Sequence, residues 1–169
     1  VRNTGFYFAN IETRIQDNNN NSVNVIYNFE LGDRAKINEI KFIGNKVFKN
    51  NKLRKIIVSE ESKPWKFITP NKYLNEKRIE LDVNLLKNYF KNKGYYNVLI
   101  RSSSAKVIDK NNFVLTFNIQ AGKKYYFNNI NLNVSDDYDE ESFSNFFKIF
   151  NKLKGKAYSL NSIKKIINE

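Results

Sequence analysis

The 169-residue sequence contains no cysteine and no histidine. Without cysteine there is no disulfide framework and no thiol nucleophile. Without histidine there is no imidazole general base, no serine–histidine triad and no zinc site built from the usual cysteine and histidine ligands. No constellation of carboxylates takes their place, so we expect a protein that is not an enzyme and that holds no cofactor and no metal.

Proline, glycine and long apolar runs are also scarce. The chain has two prolines and six glycines, and no run of 18 apolar residues that could cross a bilayer as a helix. What it has instead is 41% hydrophobic residues, including 14 phenylalanines and 10 tyrosines. That content is enough to build a core, and the length suits one medium domain or two small ones.

The charge is strongly basic, with 29 lysines and arginines against 17 acidic residues. A net charge of +12 is typical of proteins that bind nucleic acid or anionic surfaces. Only six of the 29 are arginine, the residue best suited to phosphate and guanine. Abundant lysine and asparagine with little alanine or glycine indicate an AT-rich genome, so we interpret the charge mainly as background composition. A basic α+β nucleic-acid-binding module is the alternative function.

Hydrophobic periodicity predicts an α+β order of elements. The clearest helix carries Ile79, Val83, Leu86 and Phe90 as one apolar stripe, and Gly94 is a natural stop after it. The predicted strands are 6–11, 23–29, 36–43, 95–107, 113–119 and 125–134, and the predicted helices are 50–59, 73–93, 139–150 and one from Ser159.

An internal repeat organises these elements. Residues 5–7 (GFY) match residues 94–96 (GYY) at an offset of 89, and residues 27–32 match residues 117–122 at an offset of 90. The repeated unit is strand, helix, helix, strand, strand. We therefore divide the chain into the last hairpin of one unit (1–33), a complete unit (34–122) and the opening strand and helices of a following unit (123–169).

The complete unit resembles a POTRA domain. The resemblance rests on its order of elements, on residues 40–48 (IKFIGNKVF) and on the hairpin that ends the unit. It also rests on the end of the long helix and the turn after it, which contain Leu86, Tyr89, Phe90, Gly94 and Tyr95. Tandem units without linkers resemble the periplasmic arm of the Omp85 family. The run 64–67 (PWKF) resembles the third POTRA domain of a five-domain arm, with parts of the second and fourth on either side.

This resemblance implies a function as well as a fold. The fold is a tandem array of β-α-α-β-β units, each a three-stranded mixed sheet with two helices on one face. The function is a periplasmic scaffold for assembly of outer-membrane β-barrels, tethered to the outer membrane of a Gram-negative bacterium by a barrel C-terminal to this segment. The implied partners are unfolded outer-membrane clients and periplasmic lipoproteins of the assembly complex, and no nucleic acid.

The first arm of the hairpin, residues 95–107, is the element that we expect to bind proteins. If the last strand of the unit is central, this arm lies at an edge and keeps unpaired backbone groups that a guest strand can use. Alternation puts one set of backbone groups outward, most favourably at Leu99, Arg101, Ser103 and Ala105. An edge covered by a neighbouring domain is the alternative. The full candidate set is Tyr95, Asn97, Leu99, Arg101, Ser103, Ala105 and Val107.

Several other features have a structural interpretation. Gly32 and Gly122, just before each new unit, are predicted hinges. Glu80 and Asp82 are expected on a solvated helix face, and Trp65 with Phe67 is expected to pack over the sheet edge. Lysines around the first helix (Lys46, Lys49, Lys52 and Lys55, with Arg54) could grip phosphate, but composition explains them as well.

The interpretation of the charge predicts weak, sequence-blind binding to duplex DNA at about 150 mM salt, because only nonspecific phosphate contacts would be made. Titration of two unrelated duplexes in parallel checks this. A nanomolar complex that discriminates between them would instead support the nucleic-acid-binding module.

Overall fold

The computed structural model describes residues 4–18, 20–65, 68–109 and 111–168, with the backbone alone at 102–106 and 140. None of the helices in these residues is long and apolar enough to cross a membrane.

The chain opens with an antiparallel hairpin of β1 (Asn10–Asn18) and β2 (Ser22–Glu30). The hairpin was expected, but its first strand was predicted at 6–11 and begins only at Asn10. Residues 6–8 precede the strand because their rings turn towards the complete unit, where Tyr7 and Phe8 both contact Phe113.

The complete unit contains β3 (Lys36–Ile43), α1 (Asn50–Arg54), a 3-10 turn (Pro70–Lys72), α2 (Glu76–Lys91), β4 (Leu99–Val107) and β5 (Asn112–Gln120). Its three strands lie in the order β3-β5-β4, with β3 parallel and β4 antiparallel to β5. The predicted three-stranded mixed sheet is therefore confirmed, with β5 at its centre.

The α2 stripe packs on the sheet as its spacing predicts. Asn75 caps the helix by accepting a hydrogen bond from the N–H of Arg78 at 2.8 Å. Leu86 and Phe90 are completely buried and Ile79 nearly so, while Val83 is partly buried at the margin of the core. The strand side of this core is the inward row of β5, which consists of Phe113, Leu115, Phe117 and Ile119.

Two expectations about the helices were wrong. Helix α1 ends at Arg54 rather than near Ser59, because the chain turns inward to bury Ile57 and Ser59. Asp82 is not on a solvated face but has no exposed surface at all. Asp82 lies between Ile79 and Leu86 on the inner side of α2, where the segment that follows α1 contacts it.

The following segment is less regular than predicted. Residues 125–134 do not form a strand and make one isolated bridge, between Tyr126 and Ala157. In the complete unit β3 is held by the ladder of β5, and within the described residues no strand pairs with 125–134. The helices do form, as α3 (Ser144–Leu153) after a short 3-10 turn and as α4 (Leu160–Ile167), which Ser159 caps.

Replacing Leu86 by alanine is expected to lower the free energy of unfolding by about 2–5 kcal/mol, because it empties a fully buried site. Leu81, which is 47% exposed on the same helix, is the matched control, and Leu81→Ala should cost about 0.5 kcal/mol or less. Urea denaturation of both variants measures the difference. Equal losses would show that the stripe has been assigned to the wrong face.

Candidate functional site

Strand β4 is hydrogen-bonded on one side only within the described residues. It pairs with β5 from Leu99 to Val107, and the sheet order places it at the edge. Edge strands present a row of N–H and C=O groups that another extended chain can pair with. The predicted arrangement, with the last strand central and this arm outside, is what the structure has.

The direction of the backbone groups on β4 follows from its register. The N–H of Ile108 donates to the carbonyl of Asn112 at 2.8 Å, so that pair faces inward. Opposed pairs in an antiparallel ladder alternate between bonded and non-bonded. Val107, Ala105 and Ser103 therefore direct their N–H and C=O groups outward, away from β5.

A bulge interrupts this alternation and corrects part of the sequence-based set. The register shifts between Ile100 and Ser102, so Arg101 lies in the bulge and Leu99 returns to an inward-facing pair opposite Gln120. Tyr95 and Asn97 lie before the strand, in a turn where the N–H of Val98 donates to the carbonyl of Tyr95 at 3.2 Å. Alternation read from the sequence cannot reveal a bulge, because the extra residue breaks the period of two.

The opposite edge of the sheet, β3, is covered by the chain itself. We call residues 59–63, which run along this edge, the edge strap. The N–H of Ser62 donates to the carbonyl of Ile37 at 2.6 Å. A carboxylate oxygen of Glu61 accepts the N–H of Ile40 at 3.0 Å, and the Arg54 guanidinium donates to the carbonyl of Ile40 at 2.8 Å.

Asp82 anchors the start of the edge strap from inside the unit. Its carboxylate accepts the N–H of Val58 at 2.6 Å and that of Ser59 at 3.2 Å. Burial raises the pKa of the Asp82 carboxyl, and hydrogen bonds from Val58 and Ser59 together with the charge of Arg78 oppose that rise. A buried carboxylate with several donors holds a loop in place without needing a catalytic partner.

The same hydrogen bond occurs at both ends of the complete unit. The N–H of Ala35 donates to the carbonyl of Gly5 at 2.7 Å, and the N–H of Tyr125 donates to that of Gly94 at 2.8 Å. These positions are related by the offsets of 89 and 90 in the repeat. The two contacts make the junctions equivalent.

The predicted hinges adjoin these contacts. Gly32 and Gly122 have φ of +62° and +73°, a conformation that favours glycine. A side chain would fit sterically at Gly32, where nothing lies within 4 Å of an added Cβ. Bending there would have to strain the Ala35–Gly5 hydrogen bond, and the hinge role stays a prediction.

Other candidate groups do not assemble a site. Trp65 is 72% exposed and so does not pack over the sheet edge as expected, while Phe67 lies outside the described residues. Within the basic cluster, Arg54 is bound to Ile40 and Glu61. Nowhere in the described ranges do three or more acidic residues come together in a group that could hold a metal ion.

Comparison with known proteins defines the class. The family model for POTRA, described as a surface antigen variable number repeat, matches residues 35–122. The chain belongs to the POTRA family.

Its relatives include outer-membrane assembly factors. The chain is 22% identical over 150 residues to the outer membrane protein assembly factor BamA of Neisseria meningitidis, covering 88% of this chain and 19% of that protein. It is 27% identical over 115 residues to BamA of Buchnera aphidicola, covering 68% of this chain and 19% of that protein. The chain thus spans about a fifth of the length of these relatives.

A solved structure shares the fold. The crystal structure of Haemophilus influenzae BamA POTRA3-5 superposes with a TM-score of 0.56 at 20% identity, covering 96% of this chain and 60% of that one. The α+β fold is therefore shared over nearly the whole chain.

The buried carboxyl predicts a pH dependence. Because its folded pKa is raised above the unfolded value of about 3.9, the folded state binds the proton more tightly. Stability should therefore fall as pH rises through the raised pKa. Relative to wild type, Asp82→Asn should gain stability as pH increases, as measured by urea denaturation across the pH range.

Glu80→Gln is the control for this prediction, because Glu80 is exposed on the same helix. Any pH dependence that Glu80→Gln shows reflects the loss of one charge from the helix and is subtracted. A difference for Asp82→Asn that stays constant with pH would contradict the assignment of a raised pKa.

Proposed function

We propose that this chain is a non-enzymatic scaffold segment of a periplasmic factor that assembles outer-membrane β-barrels. It binds client outer-membrane proteins and accessory lipoproteins of the assembly complex, partly by adding their extended segments to the outer edge of β4. Membership of the POTRA family and the similarity to outer membrane protein assembly factors support the general role.

The outer row of β4, which pairs with no strand in the described part of the chain, is the observation that carries this proposal. Ser103, Ala105 and Val107 direct backbone groups outward over a regular stretch of five residues, 103–107. A guest strand that pairs there uses main-chain hydrogen bonds, which are the same for every sequence. An assembly factor that handles many different β-strands needs this kind of tolerance.

The bulge limits where the guest can pair. Beyond Ser102 the outward row is interrupted at Arg101, so a continuous guest ladder extends from Ser103 towards the turn at Asp109. Binding through this stretch depends on backbone groups rather than on the side chains of Leu99 or Arg101. Alanine at either position should therefore change affinity little.

The same family relationship supports a site of action at the outer membrane. The segment belongs in the periplasm, held at the outer membrane by a membrane barrel elsewhere in the same protein. That barrel and the lipoproteins are its stable partners, while clients bind and leave.

Proline at Ser103 tests the edge mechanism. Ser103→Pro removes an outward N–H donor without breaking a bond to β5. It should weaken binding of a ten-residue peptide with the apolar–polar alternation of an outer-membrane strand by about tenfold, the effect of losing one well-formed hydrogen bond. Fluorescence anisotropy of a labelled peptide measures the affinity.

Two controls accompany this variant. Ser103→Ala keeps the N–H and should bind like wild type, and circular dichroism must show that both variants are folded. Equal binding by a folded Ser103→Pro variant would rule out pairing at this edge and leave the segment as a spacer between domains.

A further inference from the structure

The outer edge of β3 is closed by side chains at a position where a strand would otherwise bind. A neighbouring strand offers one C=O to accept an N–H and one N–H to donate to a C=O. At Ile40 the Glu61 carboxylate supplies the acceptor and the Arg54 guanidinium supplies the donor. Both groups of one residue are therefore satisfied without any strand.

The two side chains are held in place for this task. Arg54 Nε lies 3.2 Å from the Glu61 carboxylate, so the pair is fixed by its own ion pair. Both groups are largely shielded, with 34% and 17% of their side chains exposed. Nearer the start of β3, the backbone N–H of Ser62 donates to the carbonyl of Ile37 and so covers the same edge.

We propose that the Arg54–Glu61 pair and the edge strap act as a seal that leaves each unit only one edge for strand addition. Without the seal, a copy would present β3 as well as β4. The edge of β3 in one copy could then add to β4 of a second copy. Such a contact is head-to-tail and does not close, so it propagates into chains.

This inference goes beyond the proposed function, because it holds whether or not β4 binds clients. It assigns Glu61 and Arg54 a role in specificity, since they exclude β3 from the pairing that β4 permits. Natural sheets commonly protect edges with inward charges or covering loops, and here one edge is protected while the other is left open.

Glu61→Ala in the full 169-residue chain tests the seal. The amide of Ile40 should exchange with solvent at least about tenfold faster than in wild type, since a hydrogen bond to a charged acceptor is lost. The central amides of β5 should be unaffected. Sedimentation velocity should show self-association that increases with protein concentration, where wild type remains monomeric.

Matched variants separate the seal from a general effect of charge. Glu61→Gln keeps an oxygen acceptor and should restore slow exchange and the monomer. Glu39→Ala likewise removes one carboxylate, in this case from β3 itself. That group pairs with Lys41 on the exposed face, so its loss should leave both readings unchanged. Adding Ser103→Pro to Glu61→Ala should weaken the association about tenfold, because it removes one outward N–H donor from β4 of the second copy.

The inference is overturned if folded Glu61→Ala keeps slow exchange at Ile40, or if exchange accelerates and the chain stays monomeric at every concentration. Association that Ser103→Pro leaves unchanged would overturn the assignment of β4 as the occupant. If Glu61→Ala does not fold, Ser62→Pro removes the donor to the Ile37 carbonyl without a change of charge. Sedimentation velocity alone judges that variant, and a folded Ser62→Pro that stays monomeric at every concentration overturns the inference.

Discussion

The position of β5 between β3 and β4 is the constraint on which the rest of the unit depends. Its inward side chains, such as Leu115 and Phe117, have no exposed surface, and they give α2 the apolar surface on which it packs. Its backbone supplies a parallel ladder to β3 and an antiparallel one to β4. A central strand used on both sides leaves the unit with two edges, and the treatment of those edges decides what the unit can bind.

The two edges differ in chemistry. At β3, the strap and the Arg54–Glu61 pair use the outward groups of Ile37 and Ile40, and buried Asp82 holds the start of that strap. At β4, the outward row is regular only from Ser103 to Val107. Under the proposed function and the proposed seal, a unit with one open edge accepts one extended guest and avoids open-ended pairing with its own copies.

Much of this could be predicted from the sequence, because the core follows simple periods. The alternation of apolar residues predicted β5, and the apolar stripe that contains Leu86 predicted α2. Strand β3 was predicted at its observed bounds. Features that depend on tertiary contacts could not be predicted from the sequence. The bulge at Arg101, the early end of α1 and the burial of Asp82 each depend on a partner distant in sequence. The spacing of Asp82 from Ile79 and Leu86 was the one available signal for its burial.

Residue-by-residue amide hydrogen exchange on the free chain tests the one-open-edge arrangement most directly. In β4, the amides of Ser103, Ala105 and Val107 should exchange rapidly, and those of Ser104 and Lys106, which face β5, should exchange slowly. In β3, the amide of Ile40 should be as protected as a paired strand residue, although no strand among the described residues pairs with its outward side. Uniform protection along β4, or rapid exchange at Ile40, would contradict this arrangement.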